Sequence, residues 1–149
     1  MDRPQPGAPA VEPQDPSQPT EAILPVKHDA VAPDGSLVRV LARTTGGSLA
    51  HFELGAGEVS IAQRHRTVSE IWYVVGGLGR MWRRGPAGTA TEIDLRPGVA
   101  LTIPVGTWFQ FRATGRVPLE IVGATMPAWP GDDEAVMVDG PWPPALDPR

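Results

Sequence analysis

The chain has 149 residues, the size of one ordinary domain, with 41% hydrophobic and 20% charged residues, a balance that supports a single packed core. Its 13 Lys and Arg against 17 Asp and Glu leave a formal net charge of −4, which argues against a nucleic-acid binder, a class that normally shows a basic stripe to neutralise phosphates. The absence of cysteine removes disulfides, thiolate metal sites and cysteine nucleophiles.

Residues 1–22 form a proline-rich tail, with prolines at 4, 6, 9, 13, 16 and 19 among Gln, Ala and acidic residues. Such a segment lacks the apolar surface to offset its ordering entropy, so it is expected to be disordered or extended. The opening Met1-Asp2-Arg3-Pro4 has neither the basic start nor the apolar run of a secretory signal, and no apolar stretch approaches the length of a bilayer span. A cytoplasmic protein without a membrane partner is expected.

From Ile23 the pattern changes to short apolar runs. Leu37–Ala42, Ser48–Leu54, Val59–Arg64, Glu70–Val75, Arg80–Arg83, Thr91–Leu95, Ala100–Ile103, Trp108–Arg112 and Leu119–Thr125 read as strands. Between them lie Asp34-Gly35, Gly46-Gly47, Gly55-Ala56-Gly57, Gly76-Gly77, Gly85-Pro86, Pro97-Gly98, Pro104-Val105-Gly106 and Gly115, the residues that supply positive or fixed φ at tight turns. No stretch keeps a helical period. Regularly spaced short strands predict an all-β domain, an antiparallel sandwich or barrel over residues 23–126.

Residues 127–149 include Pro127-Ala128-Trp129-Pro130 and Pro141-Trp142-Pro143-Pro144. Prolines this dense argue against regular structure, and the two tryptophans predict a segment that wraps the barrel and buries its rings.

The informative stretch runs from Gly57 to Gly77. Residues two apart on a strand share a face, so Gln63 and His65 point together, and the turn after His65 returns Glu70 to that face. Imidazole, carboxylate and a neutral amide oxygen converging inside a barrel can hold a divalent metal. Trp72 and Val74 share parity with Glu70, whereas Tyr73 faces the other way. His51 alternates against Phe52 and Leu54 and faces away from the interior if that pair points inward.

This pattern resembles the cupin superfamily. The family's first motif is matched by Gly57, His65, Glu70 and Gly77, with Gln63 standing where a first histidine belongs. The second is matched by Gly98, Pro104 and Gly106, with Phe109 in place of a histidine and Ala113 in place of an asparagine. Twenty residues separate the motifs, and the resemblance covers about residues 37–125. It implies a cupin-type antiparallel β-barrel, the double-stranded β-helix of the jelly-roll kind.

Two functional readings follow. In one, Gln63, His65 and Glu70 bind a divalent Fe, Mn, Zn or Ni ion, with Glu70 and His65 as catalytic groups in oxygenase, isomerase, cyclase or lyase chemistry on a small organic molecule. In the other, the barrel is a metal-free small-molecule-binding module or sensor in which His65 and Glu70 orient the ligand. Trp108 and Phe109 make the second-motif side apolar and point to an apolar or aromatic ligand. Gln110, Arg112 and Arg116 are expected on the surface. The open edges of such a sheet predict a homodimer.

Overall fold

The computed structural model describes residues 15–149; most of the proline-rich tail, residues 1–14, therefore lies outside the described residues. Eleven strands follow in order: β1 (Ala30–Val31), β2 (Leu37–Arg43), β3 (Ser48–Leu54), β4 (Gln63–His65), β5 (Ser69–Gly76), β6 (Gly79–Arg84), β7 (Ala90–Leu95), β8 (Ala100–Ile103), β9 (Trp108–Ala113), β10 (Leu119–Met126) and β11 (Ala135–Met137). One 3-10 turn, Asp132–Glu134, precedes β11. No helix among the described residues is long and apolar enough to cross a membrane.

The strands form two sheets, β1-β2-β3-β10-β5-β8 and β11-β4-β9-β6-β7, every pairing antiparallel. The two inner faces enclose one core that includes Leu54, Trp72, Val74, Met81, Ile103, Phe109, Phe111, Leu119 and Ile121. Period-two burial assigns the faces. On β5, Glu70, Trp72 and Val74 are buried while Ile71, Tyr73 and Val75 are exposed, as their parity predicts. Gly77 follows that strand at φ +75°, and a Cβ there would collide with the Pro118 carbonyl, so the first motif's last glycine is dictated by backbone and space together.

Three expectations need correction. Val59–Arg64 is not a continuous strand: only Gln63–His65 is one. Upstream, Val59 bridges Arg112 and Ala145, and Ile61 N–H donates to the Asp34 carbonyl at 2.9 Å, so the backbone changes partner too often for a ladder. The C-terminal segment is not wholly irregular, because its proline-free Ala135-Val136-Met137 pairs with β4 and edges the second sheet. Gln110 is not a surface group; it is 1% exposed. Its side-chain amide donates to the Ser60 and Trp142 carbonyls and accepts from Trp142 N–H. That clamp fixes the wrapping segment to the barrel and half-buries Trp142, whose ring Arg112 covers at 4.5 Å.

Candidate functional site

β4 turns Gln63 and His65 inward while Arg64 points outward, and β5 brings Glu70 beside them. The three are 3%, 2% and 4% exposed and line one cavity of about 320 Å³. Phe52, Trp72 and Thr125 supply its sheet wall, residues 30–34 cross it from the N-terminal side, and Trp129, Gly131 and Asp132 cross it from the C-terminal side. Phe52 and Trp72 sit 5.5 Å apart over Gly123. A Cβ on Gly123 would lie 2.5 Å from Phe52 and 3.0 Å from Trp72, so the missing side chain makes room for both rings.

His65 is held from both sides. Its carbonyl accepts Gly106 N–H at 3.1 Å, which ties the second motif's turn to the first motif's histidine. Its ring lies edge to face with Phe109 at 5.3 Å and Trp129 at 5.0 Å. Neither ring nitrogen has a hydrogen-bond partner among the described residues, although both are buried. An unpaired polar group in such a place ordinarily signals a missing ligand or water. Burial pushes the imidazole pKa down to about 4, outweighing the opposing pull of the Glu134 carboxylate, so His65 is neutral at physiological pH.

Glu70 shifts the other way. Burial raises it to about 8, against the Trp72 indole N–H that donates to Oε2 at 2.9 Å, and the nearby Asp34 carboxyl adds to the rise. At neutral pH the carboxyl is mostly protonated, so the site offers a hydroxyl donor beside a neutral imidazole. Asp34, which also lines the cavity, is buried and raised too, and Ser36 satisfies it through N–H and Oγ.

The cover over the cavity is anchored. Trp129 N–H donates to Ser48 Oγ at 3.1 Å, and that hydroxyl also bonds Thr125 Oγ1. Further along, Glu134 accepts from Thr67 N–H and Oγ1 and from Val68 N–H, pinning the segment to the β4–β5 turn. Sequence reasoning missed Asp34 and Glu134 as parts of this site. Asp34-Gly35 registers only as a turn signal, and a glutamate 66 residues from the N–H it caps leaves no local trace.

Trp108, expected beside Phe109 in the pocket, is on the opposite face of β9, where Arg84 covers its ring at 4.7 Å. A period of two cannot place neighbours on one face. His51 does point away from the cavity, yet it is buried, between Arg39 (Nη1 to Nδ1, 3.4 Å) and Glu120 (Nε2 to Oε1, 3.1 Å).

The residues present do not fit a divalent ion well. Among the described residues no group of three or more His, Cys, Asp or Glu side chains converges. The cavity offers one imidazole, one carboxyl already bonded through Oε2 to Trp72, and the neutral amide of Gln63. Phe109 packs against the imidazole from the side where the second motif would supply another histidine. Borderline ions favour imidazole donors, and a single one is a weak set.

Fold and glycine turns define a jelly-roll barrel with a ligand-sized bowl. The cupin-domain family profile matches residues 50–124, and the chain belongs to the cupin family. It is similar to an uncharacterised protein of Methanocaldococcus jannaschii, 25% identical over 127 residues, covering 79% of this chain and 98% of that protein. Among solved structures it resembles KdgF from Halomonas (22% identity, 66% of this chain and 84% of that one, TM-score 0.56). It also resembles an oxalate decarboxylase of Bacillus subtilis (17% identity, 64% and 24%, TM-score 0.56). At these identities the structural likeness carries the fold alone.

Proposed function

We propose that this cupin binds a small organic molecule in its barrel without a resident metal. The observation that carries this reading is the buried imidazole of His65, which lines the cavity with both ring nitrogens unpaired among the described residues. The ligand has a flat apolar body that packs between Phe52, Trp72 and Trp129, and a polar end that meets Gln63, His65 and Glu70. Such a division, mostly apolar walls with a few convergent polar groups, is how ligand pockets combine affinity with orientation. A protonated Glu70 donates to an oxygen of the ligand, and neutral His65 donates through one ring nitrogen and accepts through the other.

A net anion is disfavoured at that end, because burial already drives the Glu70 carboxyl to its neutral form; Arg43 also lines the cavity, and the screen therefore includes acids of the same class as a control. The ligand class is therefore a neutral aromatic or heteroaromatic molecule bearing a carbonyl or hydroxyl. The test is a thermal-shift screen of such compounds against wild type, His65→Ala and Trp129→Ala. Compounds that stabilise wild type and lose the effect in both variants support the reading. If no compound of the class shifts wild type, the reading is abandoned.

A further inference from the structure

The outer face of the second sheet carries positive charge that the fold leaves uncompensated, although the chain as a whole stands at −4. On that face Arg80, Trp82 and Arg84 of β6 stand opposite Arg112, Gln110 and Trp108 of β9. The Gln63–Phe109 pairing sets Arg64 of β4 on the other side of Trp108. Glu92 and Asp94 on β7 both go to Arg80, at 3.8 Å and 2.6 Å. Among the described residues Arg64, Arg84 and Arg112 make no ion pair, and the buried Nε of Arg112 has no hydrogen-bond partner.

Two of these guanidiniums are stacked on indoles. Arg84 lies 4.7 Å from the Trp108 ring centre and Arg112 lies 4.5 Å from that of Trp142. Stacking fixes the plane of a guanidinium and leaves its N–H edge free for the two-pronged grip that a carboxylate fits. It also occupies a face of each half-buried indole, which disfavours a sugar or a base that binds by stacking there. Trp108 and Arg112 are four residues apart on β9, about 13 Å at the rise of a strand. Beside Gln110, midway between them, opens a groove of about 630 Å³ lined by Ile61, Met137, Val138 and Trp142, with Asp139 as its one acidic residue. Met137 is 73% exposed there.

We infer that this face docks an extended acidic peptide of a partner protein. An apolar side chain of the peptide enters the groove beside Trp142. Carboxylates two residues to either side of it meet Arg112 at one end and Arg84 with Arg64 at the other. Like-facing side chains of an extended chain are two residues apart, so acid, apolar and acid at i, i+2 and i+4 span the same distance of about 13 Å. The apolar groove selects a peptide over an acidic polysaccharide or a nucleic acid, neither of which has an aliphatic side chain to place in it. Arg64, Arg84, Arg112 and Trp142 do not line the ligand cavity, so this inference stands apart from the ligand reading.

The test is fluorescence anisotropy of the full chain with a dye-labelled peptide containing Asp-Ser-Leu-Ser-Asp. Wild type is expected to bind it saturably. Arg84→Gln and Arg112→Gln are each expected to weaken binding at least about tenfold, the loss of one charge-assisted pair. Arg112→Lys keeps the charge and loses the fork, so it weakens binding as well. Each variant is checked for native far-UV circular dichroism, and Arg84, which is exposed, keeps the assay decisive if an Arg112 variant fails to fold. No binding at millimolar peptide overturns the inference, as does equal binding of the rearranged Asp-Asp-Leu-Ser-Ser. Tighter binding of hyaluronate or of a single-stranded oligonucleotide overturns it too, because the face would then serve another class of partner.

Discussion

The indole N–H of Trp72 donates to Oε2 of Glu70 at 2.9 Å, two residues apart on the same face of β5. The bond opposes the effect of burial, which still holds the carboxyl at about 8 against an ordinary 4.5. A group raised in the folded state contributes stability that is complete below its unfolded pKa and is lost as pH rises through its folded pKa. At pH 7 the 4.5-to-8 shift costs folding on the order of 3 kcal/mol. Glu70→Gln keeps an acceptor for Trp72 and removes the titration. The variant is expected to gain stability on wild type as pH rises from 5 to 8 in urea unfolding; parallel profiles would refute a buried, raised carboxyl.

His65 gives the opposite window. Its folded pKa of about 4 lies below the ordinary 6.5, so protonation opposes folding, and stability falls as pH drops through 6.5 toward 4. Nitrogen-detected NMR of the imidazole should show a neutral ring down to about pH 5. A midpoint near 6.5 would mean that water reaches the ring freely.

Ligand affinity combines the two groups. With Glu70 donating and His65 neutral, binding is expected to stay level between about pH 5 and 7 and to weaken above 8, as Glu70 ionises. Isothermal titration across that range checks this with any compound found by thermal shift. Affinity that rises above pH 8 would assign Glu70 an ionised role.

Much of this was legible in sequence, for a physical reason. Turn glycines and period-two alternation are local constraints, so Gly57, Gly77, Gly98 and Gly106 with the parity of Gln63, His65, Glu70 and Trp72 place the barrel and its bowl. What was not legible depends on contacts distant along the chain. Gln110 reads as an exposed polar residue on β9, and only the return of residues 140–145 encloses it. Trp129 reads as a wrapping tryptophan, and only the Ser48–Thr125 hydroxyl pair shows why it stops over His65.

Gly123 packs directly against the Phe52 and Trp72 rings that form part of the cavity wall. Gly123→Ala must move the Phe52 or Trp72 ring, because both lie within contact of the added methyl. The expected cost is about 1–3 kcal/mol, the range for overpacking a core, with loss of ligand-induced thermal shift. An unchanged melting temperature and unchanged binding would show that the rings do not meet over this residue.

Glu134→Ala strips the acceptor from the Thr67 and Val68 N–H groups. Leaving such donors unpaired costs about 1–3 kcal/mol. Hydrogen exchange should accelerate at Thr67 and Val68 and across residues 127–134, while β6 and β7 keep their protection. Uniform acceleration would instead mean global destabilisation without release of the cover.

The most direct test of the central claim is elemental analysis of the purified protein, before and after incubation with iron, manganese, zinc and nickel, beside a His65→Ala/Glu70→Ala variant. The expected result is far less than one metal per chain, no tight uptake, and small-molecule binding that survives chelator treatment. Near-stoichiometric metal that disappears in the double variant would contradict it and make the Gln63, His65 and Glu70 cluster a metal centre.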